Sequence, residues 1–323
     1  MAYSENVIRR AQARLAQEKA DRESESNARI AEIYLKYPRL HEIDRAMRQS
    51  VSKAVAVAFR KGEDPTAAIE KIKEENLSLQ REREWLLEAN ELDEAALEPA
   101  TICAKCGGSG YIGAAMCECL RELCRQEQKK ELSSLLSGKE TFDSFRLDLY
   151  SAQYNPQTNS SPRDLMQGTF LRCKNYAKGF STNSPSLLFR GDPGLGKTFL
   201  SACIARTVAD NGFSVVYDTA GKMFSDFETA KFGGGTEDLT EKYLRCDLLI
   251  IDDLGTEMTT QFTLSVLYQV INTRLMEQKP VIISTNLSTD AIKLRYPGPI
   301  ASRLLGCYEL CTFIGTDIRS LRR

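Results

Sequence analysis

The chain has 323 residues, 43 basic against 44 acidic, and a net charge of −1, which excludes a broadly cationic nucleic-acid binder and leaves DNA contact to a local patch. Its 42% hydrophobic and 27% charged residues are ordinary for a globular protein long enough for more than one core. No apolar run reaches membrane-spanning length and the first twenty residues are charged, so neither a membrane span nor a secretory signal is expected.

Residues 1–98 read as helices. Residues 1–35 carry only a thin apolar stripe (Ile8, Leu15, Ile30, Ile33), the pattern of a solvated helix, and Pro38 ends it. Leu40, Ile43, Met47, Val51, Ala54, Val55, Ala58 and Phe59 then follow three-four spacing. Residues 61–65 are a break and restart, with Asp64 as N-cap and Pro65 in the first turn. Ile69, Ile72, Leu79 and Leu86 continue the pattern, so residues 40–92 are expected to form an antiparallel helical hairpin. That hairpin is either a small bundle or a docking surface for another protein. The single histidine, His41, lies here, which excludes a histidine base elsewhere.

Residues 99–135 change character. Cys103-x-x-Cys106 is followed by glycines and then by Cys117-x-Cys119. Four clustered thiolates suit tetrahedral zinc, and a closed S₄ shell makes the metal structural rather than catalytic. A redox C-x-x-C and unliganded thiols are the competing readings, and Cys124 is a possible substitute ligand. Cys173, Cys203, Cys246, Cys307 and Cys311 sit in apolar or strand-like surroundings and read as packing residues in a reducing cytoplasm. Residues 120–136 read as a charged linker helix into a second domain, 136–323. Aromatic residues follow at Phe142, Phe145 and Tyr150, then a polar loop over 155–162 and a helix over 163–180.

That second domain is built around Gly191, Asp192, Pro193, Gly194, Leu195, Gly196, Lys197 and Thr198, between a short apolar strand (187–190) and a helix opened by Phe199. Strand, glycine turn, Lys-Thr and helix make the phosphate-binding loop G-x-x-x-x-G-K-[ST]. Its glycines let backbone N–H groups converge on phosphate oxygens, and the new helix adds its free N–H groups and positive dipole end. Lys197 reaches the β/γ-phosphates and Thr198 ligates Mg²⁺.

Residues 214–218 read as a second strand, 219–231 as a helix and 233–235 as a flexible tip. Residues 246–251 then run apolar into Asp252 and Asp253, the mark of a buried parallel strand whose C-terminal end opens at the ligand crevice. Asp252 is placed to hold Mg²⁺, directly or through water, and Asp253 stands where many such ATPases carry a water-polarising Glu. Aspartate is one methylene shorter, which predicts shifted geometry or slow hydrolysis, and Glu257 is the second choice. Residues 280–286 form a further strand expected between those of the phosphate loop and the acids, with Asn286, or else Thr285, facing the γ-phosphate. Residues 308–315 close a five-stranded parallel sheet with right-handed crossovers. Few residues follow, so the helical lid common after such modules is nearly absent.

Gly191–Thr198, Leu249–Gly255, Ser284–Asn286 and Ala301–Leu304 together resemble the AAA+ ATPases of the DnaC/DnaI helicase-loader group and the transposition relative IstB. Leu97-Glu-Pro ahead of Cys103–Ile112, with Cys117–Leu120 after it, resembles the cysteine-rich domain of DnaI-type loaders of Gram-positive bacteria and their phages. The resemblance implies an AAA+ fold, with Arg303 matching the arginine finger that reaches a neighbouring subunit's γ-phosphate and Arg319 matching a sensor 2-like position. It also implies ATP, Mg²⁺ and zinc as cofactors. The implied partners are a DnaB-type hexameric replicative helicase, gripped by the N-terminal part, single-stranded DNA, and other copies of the chain. Tyr217, Lys222 and Phe224, after the second strand, are candidates for stacking on and neutralising one DNA strand. The alternatives are an IstB-like transposition helper and a nucleotide-switched adaptor that hardly hydrolyses.

Overall fold

Continuous apolar runs build the sheet. In this computed structural model, which describes residues 3–58, 66–135, 140–156, 158–233 and 238–319, the long helices α1 (Glu5–Lys36), α2 (Pro38–Ala58) and α3 (Thr66–Ala89) come first. A two-stranded hairpin, β1 (Tyr111–Ile112) and β2 (Ala115–Met116), and the helix α4 (Glu118–Leu135) follow. The rest alternates strand and helix: α5 (Pro162–Lys178), β3 (Leu187–Arg190), α6 (Lys197–Asp210), β4 (Val215–Thr219), α7 (Ala220–Phe232), α8 (Asp238–Arg245), β5 (Leu248–Leu254), α9 (Gln261–Met276), β6 (Val281–Thr285), α10 (Thr289–Arg295), α11 (Gly298–Gly306) and β7 (Glu309–Thr312).

The five large-sheet strands are all parallel, in the order β4-β5-β6-β3-β7. The pleat sends alternate side chains to opposite faces. Leu187, Phe189, Leu248, Ile250 and Ile282 join one core, with residues of α5 and α6. Leu188, Leu249, Ile251, Val281 and Ile283 join the other, with α7 and α9. The strand carrying Asn286 at its tip lies between the phosphate-loop strand and the acid strand, as its sequence predicts.

The chain divides into two compact units, one of residues 1–12 with 120–323 and the other of residues 13–119. These bounds differ from the expected divisions at 98 and 135. The reason is that α4 is no bare linker: Gln128 donates to Phe213 O at 2.9 Å and accepts from Val215 N at 3.0 Å, covering the open edge of β4. The start of the chain joins the same edge, with Tyr3 Oη donating to Gly212 O at 3.2 Å and Arg10 paired with Glu131 at 2.6 Å.

In the other unit, α2 and α3 form the expected antiparallel hairpin, since residues near the start of one meet residues near the end of the other. Arg39 pairs with Glu82 at 2.7 Å and Arg83 with Asp44 at 2.8 Å. Leu40 and Ile43 are buried, but Val55, expected on the same apolar face, is exposed. The predicted break at Asp64 and Pro65, and Gly234 and Gly235 of the predicted tip, lie outside the described residues. Cys307 is exposed at the end of α11, contrary to the packing role expected of it, whereas Cys173, Cys203, Cys246 and Cys311 are buried. Among the described residues no helix is long and apolar enough to cross a membrane.

Candidate nucleotide-binding site

The phosphate loop takes a shape that only glycine permits at two points. Gly194 has φ 77° and a Cβ there would stand 1.9 Å from Asp317 Oδ1; Gly196 has φ 87° and its Cβ would stand 3.0 Å from Tyr150 Oη. Tyr150 donates to Leu195 O at 2.9 Å and Ile318 N donates to Gly194 O at 3.1 Å, so the loop is pressed from both sides. Gly196 is the left-handed N-cap of α6, and Lys197 and Thr198 open that helix at its positive end.

Beside the loop lies a cavity of about 350 Å³ lined by Pro193, Gly194, Leu195, Gly196, Lys197, Thr198, Phe199, Asp253, Asn286 and Arg319, among others. Gly191 and Asp192 act from behind it. Their carbonyls accept from Lys197 Nζ at 2.7 and 2.8 Å, while Asn286 Oδ1 accepts at 2.5 Å. Burial lowers the Lys197 pKa from the ordinary lysine value, against the opposing pull of Asp253, Asp252 and Asp192.

The paired acids are treated differently. Asp252 is 3% exposed, its Oδ2 accepting from Tyr217 Oη at 2.9 Å and its Oδ1 from the Ser284 hydroxyl. Asp253 turns out of the strand at φ 56°, where the β5–β6 register shifts, and reaches the cavity. Burial, and then the charge of Asp252, raise its pKa above the usual aspartate range, with Lys197 and Arg319 opposing.

The second-choice residues lie elsewhere. Glu257 accepts from Gly255 N and Tyr296 Oη, both at 2.7 Å, which holds the β5–α9 connection. Thr285 is buried and donates to Leu254 O at 2.6 Å. Arg303 does not line its own chain's cavity; it sits on α11 against α9, bonded to Asn272 at 2.8 Å.

The apolar wall of the cavity is formed by Phe145, Leu149, Ala202 and Ile318. Phe145 is 5.6 Å from the Phe199 ring and 5.2 Å from the Phe170 ring. The sequence signal was present in the aromatic run upstream of the loop, where Thr141 and Ser144 form a capping box that fixes a short 3₁₀ turn ahead of Phe145. Ile318 and Arg319 arrive only because the segment after β7 folds back over the loop, which nothing local in the sequence announces.

Burial corrects the two aromatic members of the candidate DNA set. Tyr217 and Phe224 are 7% and 6% exposed and belong to the two cores, so neither presents a face for a base. Lys222 pairs with Asp226.

The four cysteines do converge. The sulfurs of Cys103, Cys106, Cys117 and Cys119 lie within 4.8 Å of one another, with Cys103–Cys117 at 3.8 Å and Cys106–Cys119 at 3.4 Å. A tetrahedron with Zn–S bonds of about 2.3 Å has edges of about 3.8 Å, so the donor set fits zinc. Gly110 N–H donates to Cys106 Sγ at 3.4 Å, a backbone hydrogen bond that orients the sulfur as a thiolate ligand requires. Cys124 stands outside this set, buried in α4, where burial raises its thiol pKa to about 11.

Strand order, phosphate loop, paired acids and the intervening polar strand define an ATP-binding domain of the AAA+ P-loop class. A family model described as "IstB-like ATP binding protein" matches residues 148–295. The replicative helicase loader DnaC of Buchnera aphidicola subsp. Baizongia pistaciae (strain Bp) is 28% identical over 128 residues, 38% of this chain and 52% of that relative. DnaC of Escherichia coli (strain K12) is 28% identical over 117 residues, 36% of this chain and 48% of that relative. The crystal structure of the DnaC helicase loader aligns with a TM-score of 0.45 and 20% identity, over 54% of this chain and 98% of that one. The chain spans about half the length of the curated relatives it matches. The matched ATP-binding segment is thus similar to DnaC helicase loaders, one of the groups that the motifs resemble.

Proposed function

We propose that this chain is a cytoplasmic, ATP-dependent loader of a hexameric replicative helicase onto single-stranded DNA, acting in replication initiation or restart. The observation that carries the reading is the convergence of Lys197, Asp253 and Asn286 on one cavity, in a domain related to helicase loaders. Lys197 and the loop N–H groups would bind the phosphates of ATP, and Thr198 and Asp252 would hold Mg²⁺, which supplies Lewis-acid charge when bound. Asp253, aimed into the cavity with a raised pKa, is suited to orient and deprotonate the attacking water. Asn286, which accepts from Lys197 Nζ, would face the γ-phosphate, and Arg319 lines the same cavity. Arg303, turned away from its own cavity, is suited to complete a neighbour's site, which makes hydrolysis depend on assembly.

Zinc held by the four cysteines would fix the fold of residues 99–119, and the helical unit would grip the helicase. For DNA, the reading moves from Tyr217 and Phe224 to the groove beside α7 and α9. There Phe232 is 70% exposed and Lys231 Nζ stands 5.2 Å and 5.3 Å from the Phe232 and Phe262 ring centroids. Aromatic faces beside a cation suit one unpaired strand. A second reading, an IstB-like transposition helper, is favoured by the description of the matching family model.

The deciding experiment is mass photometry of the full chain with its host's hexameric replicative helicase, with and without ATP. A discrete complex supports the loader. If none forms in either condition, the loader reading fails and the transposition helper takes its place. Steady-state ATP turnover with single-stranded DNA separates both from a non-hydrolysing adaptor: turnover no higher than that of Lys197→Ala would remove the enzyme assignment.

A further inference from the structure

β5 and β6 lose their register between Ile251 and Leu254, and Asp253 lies at the break with φ 56°. A non-glycine residue holds that backbone only when its surroundings fix it. The fixing group is Ser284, fully buried one strand away. Its hydroxyl accepts from Asp253 N–H at 2.9 Å and donates to Asp252 Oδ1. From the other side of β5, Tyr217 on β4 donates to Asp252 Oδ2 at 2.9 Å. One serine thus ties the carboxylate of the first acid to the backbone of the second. The two strands flanking β5 each contribute one hydroxyl to Asp252.

We propose that Ser284 and Tyr217 are positioning residues for the metal. They fix the rotation of the Asp252 carboxylate and the backbone turn that aims Asp253 into the cavity, so Mg²⁺ affinity depends on two hydroxyls that touch neither metal nor nucleotide. Each carboxylate oxygen has two lone pairs, so one accepted hydrogen bond apiece leaves room for a metal or its water. Without the two hydroxyls a 3%-exposed carboxylate would have to find new partners or rotate. Tyr217, whose position beside a lysine suggests a base-stacking ring, instead serves the ATP site from behind. The inference rests on the reading of this cavity as an ATP–Mg²⁺ site.

The test is a titration of Mg²⁺ into full-length wild type, Tyr217→Phe and Ser284→Ala, each with a fluorescent N-methylanthraniloyl-ATP, following a parallel nucleotide titration in EDTA. Nucleotide affinity in EDTA is expected to stay within twofold of wild type in both variants. The Mg²⁺ concentration for half-maximal effect is expected to rise about tenfold in each, the order of one lost hydrogen bond to a charged group. A merely structural tie would lower the melting temperature and leave the Mg²⁺ midpoint where it was. Variants that match the wild-type midpoint within twofold overturn the proposal. Tyr217→Phe removes a single oxygen and supplies the answer should Ser284→Ala fail to fold. If wild type itself binds the nucleotide no differently with Mg²⁺ than with EDTA, the reading of the site fails, and the positioning role falls with it.

Discussion

The Arg303 guanidinium lies 4.9 Å from the centroid of the Tyr268 ring, and Asn272 Oδ1 accepts from its Nε and Nη2 at 3.2 and 2.8 Å. Pro299 O takes a further N–H at 2.9 Å. A surface arginine ordinarily samples many rotamers, and four tethers from α9 and α11 remove that freedom. The arrangement presents the guanidinium in one direction at no further entropic cost, as a finger acting on a second copy requires.

Arg303→Ala is therefore expected to lower assembly-dependent ATP turnover by about a thousandfold, the low end for a finger, while nucleotide affinity stays within twofold. Asn272→Ala, which loosens the tether and keeps the charge, should fall between the variant and wild type. Mixing Arg303→Ala with Lys197→Ala should restore part of the turnover, because the second variant lends an intact arginine to the first. Unchanged turnover in Arg303→Ala would leave the residue an ordinary surface cation.

Lys197, Asp252, Asp253 and Asn286 were legible because each is fixed by local grammar: a glycine loop before a helix, and apolar runs ending in polar residues at one edge of a parallel sheet. The cysteine cluster was legible for the same reason, since both pairs are close in sequence. What escaped was set by distant segments. Tyr217 reads as a candidate stacking ring until α4 and the chain start cover the β4 edge, through contacts such as Tyr3 to Gly212 and Gln128 to Val215. Ile318 joins the site through Gly194 O, a contact made by the fold-back of the tail rather than by any periodicity. Phe145 and Phe199 differ from ordinary core aromatics only in that a cavity opens between them and the loop.

Asp253 carries a pH signature. Its folded pKa is raised, by burial first and by Asp252 second, so its contribution to stability is fully present below the unfolded pKa and is lost as pH rises through the folded one. At neutral pH the ionised carboxylate thus costs stability. Asp253→Asn should melt higher than wild type at pH 7, with the margin narrowing as pH falls toward the ordinary carboxylate range. Asparagine's tolerance of the left-handed backbone adds a pH-independent part, so the narrowing is the diagnostic. Turnover should fall by about a hundredfold or more with the base removed. A melting difference that stays constant from pH 4 to pH 7 would contradict the raised pKa.

The sulfur cluster predicts metal content. Purified protein should carry one zinc per chain by elemental analysis, and Cys117→Ser should carry less than half of that. Hydrogen exchange over residues 99–119 should accelerate after treatment with a strong chelator, because a small loop-rich module has few buried apolar groups to hold it otherwise. A full zinc complement in the Cys117→Ser chain would remove this cysteine from the ligand set.

Arg274 is fully buried on α9, where its guanidinium meets carbonyl oxygens. Nη1 donates to Tyr243 O at 3.0 Å, Leu244 O at 3.2 Å and Cys246 O at 3.0 Å, and Nη2 to Pro280 O at 2.8 Å. Those carbonyls end α8 and lead into β5 and β6, so one side chain closes the entry to both strands that carry the site's acids and Asn286. Arg274→Met keeps most of the bulk but strands several buried acceptors at once, each costing about 1–3 kcal/mol when unpaired. Partial hydration and relaxation reduce the sum, and the expected loss in urea unfolding is about 3–5 kcal/mol, comparable to breaking a buried charged network. Arg274→Lys, a point charge with three donors on a shorter side chain, cannot span the same fork and should recover only part of the loss. A loss below about 1 kcal/mol in the methionine variant would mean that water satisfies these carbonyls as well as the guanidinium does.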